Sequence, residues 1–165
     1  MAKEKKSPIP SSVSPMLCTL TKEPVSDPDY IFEIKWDGYR IISYVNNGKV
    51  RMDSRSALDY TKKYPPVVKA LKDLNRDIVL DGEVVVFNKD GLPDFDALQL
   101  YNGHNSPISY CVFDVLWMDG TNLMHLPLTD RKEILKKIVK GNSVLKFSES
   151  FDDGEALYEA LPVNV

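Results

Sequence analysis

Lys35 is the residue in this sequence best placed to do chemistry. It stands two positions from a carboxylate on either side, Glu33 and Asp37, in the run Ile31-Phe32-Glu33-Ile34-Lys35-Trp36-Asp37, just ahead of Gly38 and Arg40. The run alternates apolar and charged residues, the pattern of a half-buried strand. Residues i and i+2 of a strand share a face, about 6.5 Å apart. Phe32, Ile34 and Trp36 are therefore expected on the core face, and Glu33, Lys35 and Asp37 on the other. Two chemistries fit a lysine so placed. One is a cross-strand ion pair on a solvated face. The other is a nucleophilic amine. Flanking carboxylates favour an ammonium ion, whereas a nucleophile has to be unprotonated. The second reading therefore requires cations that offset the acids: Arg40, a divalent metal on substrate phosphates, or basic groups from elsewhere in the fold. Catalysis at Lys35 would imply a metal-bound phosphate substrate.

The elements that must hold this run read as strands joined by short turns, with a few helices. Strands are expected over 31–37, 39–45, 49–53, 78–87, 109–117 and 144–147. Asn46-Asn47-Gly48 is a hairpin signal, because Asn and Gly tolerate positive φ. Gly38 reads as a sharp turn, and Asp81-Gly82 as a break in the fourth strand. Helices are expected over 65–74, where Val67, Leu71 and Leu74 fall on one face, and over 95–100, 129–140 and 155–161. Thr129 or Asp130 would cap the third, with Asp130 and Glu133 at capping-box spacing. Residues 1–14 are rich in Lys, Ser and Pro and read as a mobile tail, with the folded body over 15–165. Hairpin-linked strands mixed with helices imply an α+β fold with largely antiparallel sheets and flanking helices.

Composition narrows the function classes. The chain has 165 residues, 43% hydrophobic and 27% charged, enough for one ordinary domain. No apolar run approaches the roughly 18 residues of a membrane span, and no apolar stretch follows the basic N-terminus to make a secretory signal. Cys18 and Cys111 cannot form a disulfide framework, and a reducing cytoplasmic setting is expected. His104 and His125 are too few and too far apart for a structural zinc site. No Gly-rich strand-to-helix loop marks a P-loop or dinucleotide fingerprint. The net charge is −3, so nucleic-acid binding would require a local basic patch.

The run Lys35-Trp36-Asp37-Gly38-Tyr39-Arg40 resembles the Lys-x-Asp-Gly-x-Arg motif of ATP-dependent polynucleotide ligases. With Pro15-Met16-Leu17 and Glu33-Ile34 it is most similar to the bacterial DNA ligase D type, whose ligase module serves end-joining repair. Three further segments follow in family order. Ser54-Arg55, with Asp59-Tyr60-Thr61 and Tyr64-Pro65, resembles the segment whose arginine approaches a nucleic-acid phosphate; an arginine fork suits two-point phosphate contact. Relatives place a glycine soon after that arginine, and Ser56-Ala57-Leu58 has none. Leu80-Asp81-Gly82-Glu83 resembles the segment whose glutamate binds the nucleotide ribose. Tyr110-Cys111-Val112-Phe113-Asp114 resembles the strand whose aromatic residue stacks on adenine. Each has a plainer reading taken alone: a surface arginine, a structural salt bridge and a core phenylalanine. Asp114 faces away from Phe113 and is expected to be structural. Leu126-Pro127-Leu128-Thr129-Asp130-Arg131 also resembles the ligase D pattern and is read as helix entry.

The resemblance implies a ligase-type nucleotidyltransferase (ATP-grasp-like) fold. It implies Lys35 as the catalytic nucleophile, with Glu33, Ile34, Arg40, Glu83 and Phe113 binding the nucleotide, Arg55 binding nucleic acid, and no metal-ligating residue assigned in this stretch. Its cofactors are ATP, whose AMP becomes joined to Lys35, and Mg²⁺. Its partners are nicked or broken double-stranded DNA and fused or associated end-joining modules; its processes are DNA repair, recombination and replication. The family's later Glu-Gly and Lys-x-Lys segments are not found before Val165. The expectation is a fold incomplete at its C-terminus, with little lysine–AMP formed and weak DNA binding by these residues alone. The other readings are a non-catalytic nucleotide-binding or scaffold module and an RNA-capping-type nucleotidyltransferase.

Overall fold

The computed structural model describes residues 6–22 and 26–161. In chain order its elements are β1 (Phe32–Glu33), β2 (Tyr39–Asn46), β3 (Lys49–Ser54), α1 (Pro65–Lys72), β4 (Ile78–Val86), α2 (Phe95–Gln99), β5 (Ile108–Met118), β6 (Thr121–Asn122), α3 (Leu128–Val139), β7 (Leu145–Phe147), β8 (Ser150–Phe151) and α4 (Gly154–Ala160). Asn47 and Gly48 take φ of 50° and 73°, as the expected tight hairpin between β2 and β3 requires. The main sheet runs β3-β2-β4-β5-β6, and β7 joins β5. Every pairing is antiparallel except β5 with β7. The α+β expectation with largely antiparallel sheets is met. No helix among the described residues is long and apolar enough to cross a membrane.

Alternation along the strands sends residues to two different layers. Ile41, Val45, Leu80, Val112 and Val115 join Val67 and Leu71 of α1, Leu98 of α2 and Leu135 of α3 in one core, so the helices share a face. Ile42, Tyr44, Val79, Leu116 and Trp117 form a smaller cluster on the other face, and Ile9 and Val13 pack against it. The described part of the segment read as a tail makes defined contacts with this face. The Ser7 amide donates to the Gly120 carbonyl at 2.6 Å, and Trp117 Nε1 donates to Ser7 Oγ at 3.0 Å. The Val13 amide donates to the Tyr44 hydroxyl at 2.8 Å. Residues 6–14 are a strap across the sheet, because the second face carries an apolar cluster that something must cover.

Other expectations are corrected by what the neighbours do. Only Phe32–Glu33 pairs as a strand, with the two-residue β8, so 34–37 has no ladder to extend. The alternation still governs burial: Ile34 and Trp36 are half-buried, Lys35 and Asp37 exposed. Gly38 lies in a bend, as expected, Gly82 runs within β4, and neither takes positive φ. A Cβ on Gly38 would collide with the Val84 carbonyl, and one on Gly82 would sit 2.6 Å from the Cys111 carbonyl oxygen. Both allow backbones to approach closely. Strand β4 is continuous through Asp81-Gly82, and register shifts there absorb the irregularity. Helix α3 begins at Leu128 behind Pro127, with no side-chain cap. Asp130 lies in its first turn, where a carboxylate suits the positive end of the helix dipole.

The turn after Arg55 is one in which a glycine would sit without strain. Ala57 takes φ 58°, the left-handed region, held by its amide donating to the Ser54 carbonyl at 2.8 Å. That conformation costs an L-residue roughly 1–2 kcal/mol, and glycine avoids the cost at some loss of unfolded-state entropy. Ala57→Gly is expected to raise stability by about 0.5–1 kcal/mol, read from the urea midpoint at unchanged slope.

Candidate active site

Strand register builds one row of polar side chains across the strap-covered face. Arg40 of β2 is paired with Glu83 of β4, Glu83 with Cys111 of β5, and Cys111 with Lys146 of β7. Arg40 is the hub. Its Nε and Nη2 donate to the two carboxylate oxygens of Asp81 at 3.0 and 2.7 Å. Its Nη1 donates to the Met16 carbonyl at 2.8 Å, so the strap ends on this residue. Its guanidinium carbon lies 5.1 Å from the centroid of the Phe113 ring, within cation–π range. Its hydrogen bonds to Asp81 hold the guanidinium above its ordinary value. Burial pushes the Asp81 carboxyl up, and the Arg40 hydrogen bond opposes it.

Glu83 is the acid left without a full partner. Burial pushes its carboxyl up to about 7; the charges of Arg40 and Lys35 pull it down, and those of Asp81 and Asp37 push it further up. The same interactions put Lys35, Asp37 and Arg40 around one carboxylate. Lys35 is exposed, and its charge reaches Glu83. The structure thus brings together Arg40, Glu83 and Phe113 from three strands, with Lys35, on the segment entering β2, within electrostatic reach of Glu83.

Glu33 goes elsewhere. Its Oε2 accepts from Lys132 Nζ at 2.8 Å. Lys132, only 3% exposed, also donates to the Ser148 carbonyl at 2.8 Å and lies 4.9 Å from the Phe147 ring centroid. Trp36 Nε1 donates to Ser148 Oγ at 3.0 Å, and its ring meets Phe87 edge-on at 5.7 Å. These contacts hold both sides of Lys35 without a ladder, and half-buried Ile34 sits between them. Of the two acids flanking Lys35, one is thereby neutralised by a cation from α3. Arg55 is exposed on the β3–α1 connection and makes no hydrogen bond or ion pair among the described residues. Asp114 faces the helices, where Arg131 holds it with two hydrogen bonds of 2.8 Å, so its structural reading stands.

Three contributors escaped the sequence. Asp81 had a signal, since it lies two residues from Glu83 on the same face. Lys132 and Met16 had none: Lys132 is 99 residues from Glu33, and Met16 acts through its backbone.

A raised carboxyl has a consequence for stability. The ordinary value for Glu83 is 4.5 and the folded value about 7. Between them the unfolded chain has released its proton and the folded protein retains it, so this group makes stability fall as pH rises through that window. Glu83→Gln removes the penalty. Its melting temperature relative to wild type is expected to climb between pH 4.5 and 7 and to stay level above, as thermal melts across the window would show.

The site can be set beside known proteins. The model of the ATP dependent DNA ligase domain matches residues 15–157. The SPbeta prophage-derived DNA ligase-like protein LigB of Bacillus subtilis is 39% identical over 131 residues, 76% of this chain and 47% of that protein. The multifunctional non-homologous end joining protein LigD of Pseudomonas aeruginosa is 35% identical over 148 residues, 87% of this chain and 18% of that protein. A solved mycobacterial DNA ligase D, complexed with ATP and MES, superposes with a TM-score of 0.66 at 32% identity, covering 78% of this chain and 42% of its own. The chain therefore spans about half or less of the length of these relatives. The family match takes in the strap's end at Met16, the lysine and every side chain gathered around Glu83, and the chain belongs to the ATP-dependent DNA ligase family.

Proposed function

We propose that the cluster around Glu83 is the adenylation site of a DNA ligase, with Lys35 as the nucleophile. Lys35 Nζ, as the free amine, attacks the α-phosphorus of ATP. The bond to the bridging oxygen breaks, pyrophosphate leaves with that electron pair, and a lysine–AMP phosphoramidate remains. AMP then passes to a 5′-phosphate at a DNA break, and the 3′-hydroxyl attacks that phosphate, closing the strand and releasing AMP. Phe113 offers its ring to adenine, Glu83 accepts from ribose hydroxyls, and Arg40 supplies positive charge beside both. Ile34 and Glu33 line the approach to Lys35, the latter through its tie to Lys132. Arg55 meets the DNA phosphate. The work of this reading is end-joining repair of nicked or broken duplex in the cytoplasm, alongside fused or associated repair modules. The name of the Pseudomonas relative supports that.

The observation that carries the reading is the grouping of Arg40, Glu83 and Phe113: Arg40 is in register with Glu83 and lies 5.1 Å from the Phe113 ring centroid, and the charge of Lys35 also reaches this carboxyl. A structural salt bridge would have left Glu83 with a direct partner. The neutralisation of Glu33 by Lys132 supports a nucleophilic amine, since it removes one reason for Lys35 to stay protonated. Mg²⁺ enters as the counter-ion of the ATP phosphates. Among the described residues no group of three or more His, Cys, Asp or Glu could hold a metal ion.

Incubation with ATP and Mg²⁺ followed by peptide mass spectrometry tests the assignment. The AMP-mass adduct is expected on the peptide containing Lys35, in low yield from these residues alone, and absent from Lys35→Ala. An adduct on a different lysine, or one that survives the substitution, would refute it.

A further inference from the structure

Basic residues are concentrated in one stretch of this acidic chain. Residues 131–149 hold six lysines or arginines against two glutamates, whereas the rest holds fifteen against twenty-two acids. Arg131 and Lys132 are committed inward, to Asp114 and Glu33. The others point outward in a pattern. Glu133, Lys136, Lys137 and Lys140 follow the i, i+3, i+4, i+7 spacing of one helix stripe. That stripe forms one wall of a cleft of about 550 Å³, and Lys146 and Phe147 of β7 lie on the other. Lys136 reaches Glu149 at 3.3 Å, but both side chains are more than half exposed, so the pair is weak. Lys137, Lys140 and Lys146 make no ion pair among the described residues.

We propose that this α3–β7 cleft is a docking groove for the sugar–phosphate backbone of duplex DNA, distinct from Arg55 and from the Lys35 cluster. Its floor favours phosphate over base, because the Lys136 ammonium group lies 5.4 Å from the centroid of the Phe147 ring, where a base would stack. Its position suits a substrate that also reaches Lys35: Lys146 is in register with Cys111, and Cys111 with Glu83, two strand spacings or about 10 Å in all. The inference rests on the ligase reading only in taking DNA as the polyanion. The adenylation chemistry itself plays no part in it.

The test is fluorescence anisotropy of a labelled nicked duplex, titrated with the full chain over a salt series, without ATP. The state of Lys35 therefore does not enter, and failure of the adenylation reading would show separately in the adduct experiment. Each phosphate neutralised contributes about 0.9 to the slope of log affinity against log salt. Lys137→Ala/Lys140→Ala is expected to lower that slope by roughly 2 and to weaken binding alike for unrelated sequences. The control pair Lys72→Ala/Lys89→Ala, exposed lysines elsewhere, is expected to keep the wild-type slope. An unchanged slope in the cleft pair, an equal loss in the control pair, or no duplex binding even at low salt would each overturn the proposal.

Discussion

The two-point bond between Arg40 and Asp81 is the constraint on which this face of the sheet is built. Asp81 is only 5% exposed, and a carboxylate so far from water is tolerated only with a cation and hydrogen bonds to answer it. Arg40 supplies both, at 3.0 and 2.7 Å. Once its fork is fixed on Asp81, the rest of the guanidinium has a set orientation. One nitrogen is left to take the Met16 carbonyl, and the planar group lies against Phe113. Glu83, in register with Arg40, feels the cation without receiving its hydrogen bonds, and so remains the carboxyl that burial lifts. A single arginine shared unequally between two acids yields a structural pair and a responsive group from the same strand.

The strap follows from the same face. The smaller apolar cluster of Ile42, Tyr44 and Trp117 lies beside the polar row, and a segment covering one necessarily borders the other. Proline-rich, polar residues suit that work, since a strap without a ladder must find its hydrogen bonds singly, as at Ser7 and Val13. The backbone of residues 6–16 therefore runs from Gly120 at one end to Arg40 at the other.

What could be read from residue order was what neighbours in the chain decide. The β2–β3 hairpin was legible because Asn47 and Gly48 carry their own backbone preference. Helix α1 was legible from its apolar stripe, and the cluster residues from the motifs that contain them. What could not be read was decided across the sheet. The bend at Gly38 was legible, but its second role was not, because the residue that forbids a side chain there, Val84, is far along the chain. The length of β1 depends on β8, more than a hundred residues later. The strap looked mobile because its partners, Gly120 and Trp117, lie just as far away. Glycine is missing after Arg55, yet the left-handed turn it would have signalled forms anyway at Ala57, because the surrounding hydrogen bonds outweigh a modest strain.

Helix α3 joins these observations into one device. Its buried Lys132 reaches Glu33, two residues before Lys35, while Lys136 and Lys137 on the next turn face the cleft. The same rigid element answers the acid two residues before Lys35 and presents cations to solvent. A helix turn advances about 5.4 Å, so the two functions are held in fixed relation by backbone geometry and not by flexible side chains. A chain with net charge −3 would repel a polyanion if its charges were evenly spread. Gathering the cations on α3 and β7, at the edge of the strand that carries Cys111 and Phe113, lets an acidic protein present a basic surface at one side of its sheet.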